Sequence, residues 1–201
     1  MTGKPYTRIA RFYDLLDLPF EYLRYRPIRR MLFQSVRGAV LDAGVGTGRN
    51  MPFYPGDAGA FGIDLSPRML AQAGKRKARL GVAVELREAD VRATGFTDDR
   101  FDFVIAAFLF CVLAEEDQLP ALSELRRICK PGGEIRLLEY TTSTRPLKRF
   151  LMRLWAPWVR LIYGAAFDRE TARYVDAAGL RLVEERFVFE DIIKLFVLTP
   201  E

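Results

Sequence analysis

The chain has 201 residues, half of them hydrophobic, which is enough for one full core, so a single domain over residues 1–201 is expected. A net charge of +5 favours an anionic surface or substrate, while the absence of histidine excludes the usual general base at neutral pH and any histidine-ligated metal. No cleavable leader is recognised, the longest uninterrupted apolar run (Phe103 to Ala114) is shorter than the roughly twenty residues that cross a bilayer, and the two cysteines, Cys111 and Cys129, lack metal-ligand spacing, so a reduced, cytoplasmic protein without a metal is expected.

Residues 1–37 predict a helical lid. Tyr6, Ile9, Phe12, Tyr13 and Leu16 recur at helical spacing with Arg8 and Arg11 between them, and Pro19 and Pro27 break the segment. Arg24, Arg26, Arg29 and Arg30 crowd its second part around Tyr22 and Tyr25. Two readings stand: an ordinary solvated flank, or a cover over a ligand that also touches an anionic surface.

From Ala39 to Tyr140 strand and helix patterns alternate, which predicts a Rossmann-like α/β fold, a mostly parallel sheet with helices on both faces. The first strand ends at Asp42 and runs into Ala43-Gly44-Val45-Gly46-Thr47-Gly48-Arg49-Asn50. Asn50 is a polar residue able to open a short helix that stops before Pro52 and Pro55. A dinucleotide loop needs glycine where Arg49 stands, and a phosphate-binding loop needs a lysine that is missing. A carboxylate facing the ligand from Asp42 repels a pyrophosphate and attracts a ligand carrying an ammonium and a sulfonium. The second strand closes on Asp64, about twenty residues on, where an acid accepts both hydroxyls of a ribose. Acid, glycine turn and second acid form the layout expected for S-adenosylmethionine.

Ser66 caps the next helix with Pro67 at its first position, and Gly81 ends it. Met69 and Leu70 open its buried stripe, while Lys75, Arg76, Lys77 and Arg79 read as a solvated face. Val82, Val84 and Leu86 alternate as a third strand leading to Asp90 and Val91. Phe101 to Ala107 is apolar enough for a central strand, which places Ala106, Ala107 and Phe108 at the end where open α/β sheets bind ligands. A helix over 116–128 stops at Lys130-Pro131-Gly132-Gly133, and a fifth strand spans 135–139.

These motifs resemble the class I S-adenosylmethionine-dependent methyltransferases over residues 39–140. The resemblance implies cofactor contacts from Asp42, Ala43, Gly44, Gly46, Gly48, Asn50, Asp64, Leu65, Met69, Asp90, Val91, Ala106, Ala107 and Phe108, with Asp90 on the adenine amino group and Val91 against the ring. Residues 141–168 depart from the minimal fold. Arg145, Lys148, Arg149, Arg153 and Arg160 carry positive charge uninterrupted by acids, beside Leu147, Phe150, Leu151, Leu154, Trp155, Trp158 and Ile162. That composition suits an interfacial helix, or an insertion packed on the protein. Residues 169–201 supply a helical stretch over 170–178, ended by Gly179, and a closing antiparallel pair that completes seven strands.

Methyl transfer requires alignment more than acid–base chemistry. Without histidine, the residues expected to orient or deprotonate the acceptor are Tyr13 and Asp14 in the lid and Glu139 and Tyr140 at the end of the fifth strand. Within the family, the chain resembles the ubiquinone/menaquinone methyltransferases and, more closely, the compact bacterial phospholipid N-methyltransferases. That implies methylation of phosphatidylethanolamine toward phosphatidylcholine at the inner face of an anionic membrane, and a monomer is expected. The alternative is C- or O-methylation of a quinone, or methylation of another apolar molecule or thiol. Nucleic acid is not an expected partner, because the basic residues lie in amphipathic segments instead of a polar groove with stacking aromatics.

Overall fold

The computed structural model describes residues 25–56, 59–163, 166–167 and 169–201, the side chains of 160–163 excepted. Tyr13, Asp14 and the basic residues Arg8, Arg11 and Arg24 of the expected lid lie outside the described residues. The elements are α1 (Arg26–Leu32), β1 (Ala39–Ala43), β2 (Gly59–Asp64), α2 (Pro67–Leu80), β3 (Val84–Glu88), β4 (Phe101–Ala107), α3 (Glu115–Ile128), β5 (Cys129–Tyr140), α4 (Pro146–Tyr163), β6 (Leu180–Phe189) and β7 (Ile193–Pro200).

The seven strands form one sheet in the order β3-β2-β1-β4-β5-β7-β6. The first five are parallel, and β7 pairs antiparallel with both β5 and β6. Alternation along the strands sorts the core between two faces. Leu41, Val104, Ala106 and Leu137 pack with α3 on one side, and Val40, Ile105 and Leu138 pack with Ile28 and Leu32 of α1 on the other. Chain order reverses between β1 and β4, so a crevice opens above their carboxyl ends.

Local chemistry sets the element boundaries. The Ser66 hydroxyl accepts from Met69 N at 3.4 Å, Pro67 occupies the first turn, and Gly81 closes α2 at φ +64°. The helix expected after β1 is a turn ending in a single 3₁₀ turn, Met51–Phe53, with Pro52 inside it. Gly44, Gly46 and Gly48 sit at φ +73°, +55° and +81°, and a backbone that returns to the left-handed region at every second residue cannot propagate an α-helix. The Pro-Gly-Gly turn lies within β5. Pairing jumps from Phe101↔Cys129 to Phe103↔Glu134, so residues 130–133 bulge out of the ladder. Residues 170–178 form two 3₁₀ turns, Thr171–Tyr174 and Asp176–Ala178, where a longer helix was expected. Arg76 leaves the solvated face, donating to the Thr47 carbonyl at 2.8 Å and hydroxyl at 3.2 Å.

Two glycines test this packing in opposite directions. A Cβ on Gly133 would stand 2.8 Å from the Asp102 carbonyl oxygen and 2.9 Å from Cys129 Sγ, so Gly133→Ala should destabilise by about 1–3 kcal/mol in urea unfolding. Gly74, inside α2, has nothing within 4 Å of its Cβ position, so Gly74→Ala should stabilise by about 0.5–1 kcal/mol in the same assay.

Candidate functional site: a cleft at the sheet reversal

A cavity of about 470 Å³ lies above the ends of β1, β2, β4 and β5, within the size range of small-molecule sites. On one side its wall is the glycine loop after β1. Asp64 holds that loop: Oδ2 accepts from Gly46 N at 2.9 Å and Oδ1 from Ser66 N at 2.8 Å. Val45 N adds a bond to the Ile63 carbonyl at 2.8 Å. Burial raises the Asp64 pKa against these two backbone bonds. Each carboxylate oxygen keeps further acceptor capacity, and Asp64 lines the cavity. Above Gly46 the space is open. A Cβ there would meet only the Gly44 carbonyl, at 3.9 Å.

Asp42 takes a different place from the one expected. It is fully buried and outside the cavity wall, its oxygens accepting from Asn50 Nδ2 at 3.0 Å each and from the Tyr54 hydroxyl at 2.6 Å. Asn50 Oδ1 in turn accepts from Arg29 Nη1 at 2.9 Å. Burial pushes the Asp42 carboxyl up to about 6, opposed by the Tyr54 and Asn50 bonds and the Arg29 charge. The first acid of the motif therefore forms the floor beneath the loop and reaches the cavity through Asn50. Ala43 and Ala106 are also fully buried, and Gly48 is packed under Met51, whose Cε lies 2.7 Å from the glycine's Cβ position. None of these three lines the cavity.

Gly44, Gly46, Asn50, Asp64, Leu65, Met69, Asp90, Val91, Ala107 and Phe108 do line it. Asp90 is engaged by a neighbour: Arg92 grips both its oxygens, with contacts from 2.5 to 3.1 Å, and reaches Asp117 at 2.6 Å. The Arg92 hydrogen bonds hold the Asp90 carboxyl below its ordinary value.

On the other side, the wall is Phe108, Leu109 and residues 111–113 with Tyr140. Glu139 does not reach the cavity. It is 4% exposed, and its oxygens accept from Phe110 N at 2.9 Å and Cys111 N at 2.8 Å. It thereby fixes the loop that carries Phe108, which holds the left-handed φ of +58°. Burial raises the Glu139 carboxyl to about 7 in spite of the two backbone donors. Tyr140 lines the cavity, its hydroxyl 2.8 Å from that of Tyr25. Tyr25, Arg29, Tyr54 and Phe167 escaped assignment from sequence. Only Tyr25 and Arg29 carried a signal, as members of the basic, aromatic segment ahead of β1. Met152 and Val159 of α4 also line the cavity, while Leu147, Phe150, Leu151, Leu154, Trp155 and Trp158 are exposed, the two tryptophans at 61% and 60%.

A family model described as a methyltransferase domain matches residues 40–133. A phosphatidylethanolamine N-methyltransferase of Cereibacter sphaeroides is 39% identical over 138 residues, 67% of this chain and 67% of that protein. The chain belongs to the S-adenosylmethionine-dependent methyltransferases. A demethylmenaquinone methyltransferase of Thermus thermophilus is 36% identical over 145 residues, 67% of this chain and 64% of that protein. A solved S-adenosylmethionine-dependent methyltransferase of Aquifex aeolicus superposes with a TM-score of 0.68 at 20% identity, over 90% of this chain and 92% of that one, and shares the fold. S-adenosylmethionine is thus the cofactor of this methyltransferase, and the open cradle over Gly46 beside the Asp64 acceptors is compatible with it.

Glu139 and Asp42 bind protons more tightly in the folded protein than in the unfolded chain. Their contribution to stability is therefore complete below the ordinary carboxylate range near pH 4 and is lost as pH rises through about 6 and 7. Urea unfolding of Glu139→Gln should show a shallower fall in stability between pH 5 and 8 than the wild type. Parallel curves would place that proton uptake elsewhere.

Proposed function

We propose that this methyltransferase transfers methyl groups to the amine of a phospholipid head group, phosphatidylethanolamine, while docked on the anionic inner face of a membrane. The observation that carries this reading is α4. One side of the helix roofs the cavity with Met152 and Val159, and another presents six large apolar side chains to solvent. Arg145 and Arg153 are exposed on the same helix and its approach, a charge suited to anionic lipid. Lys148 is not part of that surface charge, since it pairs with Glu190 and, at 3.3 Å, with Asp191. No helix among the described residues is long and apolar enough to cross a membrane. The Cereibacter sphaeroides relative, named for phosphatidylethanolamine, supports the acceptor. The Thermus thermophilus relative, named for demethylmenaquinone, supports a second reading in which a quinone takes the methyl carbon.

Bound S-adenosylmethionine supplies a methyl group made electrophilic by its sulfonium. Asp64 would accept the ribose hydroxyls, the Gly44–Gly46 backbone would lie against the ligand, Leu65, Met69 and Val91 would flank the base, and Asn50 would relay the Asp42 charge. Ala107 and Phe108 would border the methyl-bearing end. The Tyr140 and Tyr25 hydroxyls would accept hydrogens of the acceptor amine and so direct its lone pair. The arrangement works by alignment and exclusion of water.

Calorimetric affinity for S-adenosylmethionine should be abolished by Gly46→Val, whose side chain fills the open cradle, and reduced about tenfold or more by Asp64→Ala, which removes a charged acceptor worth about 1.5–3 kcal/mol. Wild-type affinity in both would exclude this loop as the cofactor site. For the acceptor, purified protein with labelled S-adenosylmethionine should label phosphatidylethanolamine in anionic vesicles, ahead of quinol, thiol or RNA. Trp155→Ser with Trp158→Ser should lower vesicle sedimentation and transfer to bilayer lipid while sparing transfer to detergent-dispersed lipid. Label in quinol alone would replace the phospholipid reading with the second one.

A further inference from the structure

Four aromatic side chains converge on one end of the cavity. Phe108 and Tyr140 lie 4.7 Å apart between centroids at 31°, Tyr25 and Phe108 5.6 Å apart at 59°, and Tyr140 and Phe167 5.5 Å apart at 87°. All four line the cavity, and their planes differ enough to face it from several directions. The sheet order puts them in a particular half. Asp64 ends β2 and Asp90 follows β3 on one side of the reversal, whereas Phe108 follows β4 and Tyr140 ends β5 on the other. Glu139, the residue before Tyr140, spends both oxygens on the backbone of residues 110–111.

We infer that this aromatic end is a subsite for a methylated ammonium, the head-group nitrogen of a lipid carrying one or more methyl groups. The inference rests on the amine reading above. Methylation removes N–H donors one by one, so the tyrosine hydroxyl acceptors lose their hydrogen bonds to the nitrogen as the reaction advances. Ring faces do not, because they attract the charge itself through the ring quadrupole and pack against methyl groups. The cluster already takes up positive charge, with the Arg29 guanidinium 5.3 Å from the Phe108 centroid. That charge is offset by Asp42, which Arg29 reaches through Asn50. The placement of Phe108 is also built at a cost. A bulky residue at φ +58° is strained, and it is held there by Phe108 N to the Leu138 carbonyl at 2.7 Å and by the Glu139 clamp on the two residues that follow Leu109. Backbone strain of this kind clusters at ligand-binding sites, and here it sits at a ring that lines the cavity.

The test compares two ligands of one shape. Calorimetry with S-adenosylhomocysteine present would measure binding of monomeric dihexanoylphosphatidylcholine and of the analogue whose trimethylammonium is a neutral tert-butyl group. The wild type should favour the charged lipid about tenfold, the size expected for a desolvated cation among ring faces. Phe167→Leu should reduce that preference, and Tyr140→Leu with Phe167→Leu should bring it near unity while S-adenosylhomocysteine affinity is kept. Equal binding of the two ligands by the wild type, or an unchanged preference in the double variant, would overturn the inference. Choline chloride bound as tightly as the lipid would overturn its assignment to a lipid head group. A tenfold preference without transfer to phosphatidylethanolamine would keep the subsite and remove the substrate reading. Transfer without the preference would do the reverse.

Discussion

Two carboxylates at strand ends hold the cavity open by taking up backbone N–H groups that would otherwise be orphaned. Asp64 at the end of β2 secures Gly46 and Ser66, and Glu139 near the end of β5 secures Phe110 and Cys111. A buried N–H without a partner costs about 1–3 kcal/mol, so each clamp fixes one conformation of its loop against many. Between them lies the point where the order of the parallel strands reverses, and the two clamped loops become facing walls. The floor follows the same logic. Asp42 is affordable in the core because Asn50 and Tyr54 supply three donor contacts and Arg29 a balancing charge.

The walls divide the chemistry. The β1–β3 side carries glycines and acids, suited to a backbone approach and to hydroxyls, and the β4–β5 side carries rings and two tyrosine hydroxyls. Helix α4 closes the cavity with one apolar side and leaves another uncovered. Burying a large apolar side chain is worth about 1.5–3 kcal/mol, so six of them facing water on one helix forgo a substantial stabilisation that a lipid surface would restore.

How far the sequence carried depended on whether a property was local. Glycine at every second position dictated the left-handed turns, Ser66-Pro67 dictated the start of α2, and the apolar runs of β1 and β4 dictated strands buried on both faces of the sheet. The acid after the second strand and the amphipathic insertion were equally legible, because period and spacing are written along the chain. Where a side chain ends up is not local. Asp42 and Asp64 look equivalent as acids closing apolar strands, yet Asp42 is sealed beneath Asn50 and Tyr54, and Asp64 borders the cavity. Glu139 and Tyr140 are adjacent, but the strand's alternation sends Glu139 to the 108–111 loop and Tyr140 to the cavity.

The sequence by itself determined the α/β alternation, the glycine loop with its second acid, and therefore the cofactor and the family. Only the tertiary structure decided which acids touch the cavity, that Arg29 and Tyr25 join it from ahead of the sheet, and that Phe108, Tyr140 and Phe167 meet there. The reason is separation along the chain. Tyr25 and Tyr140 lie 115 residues apart, and their hydroxyls come within 2.8 Å only because the strand order places the ends of β4 and β5 beside α1.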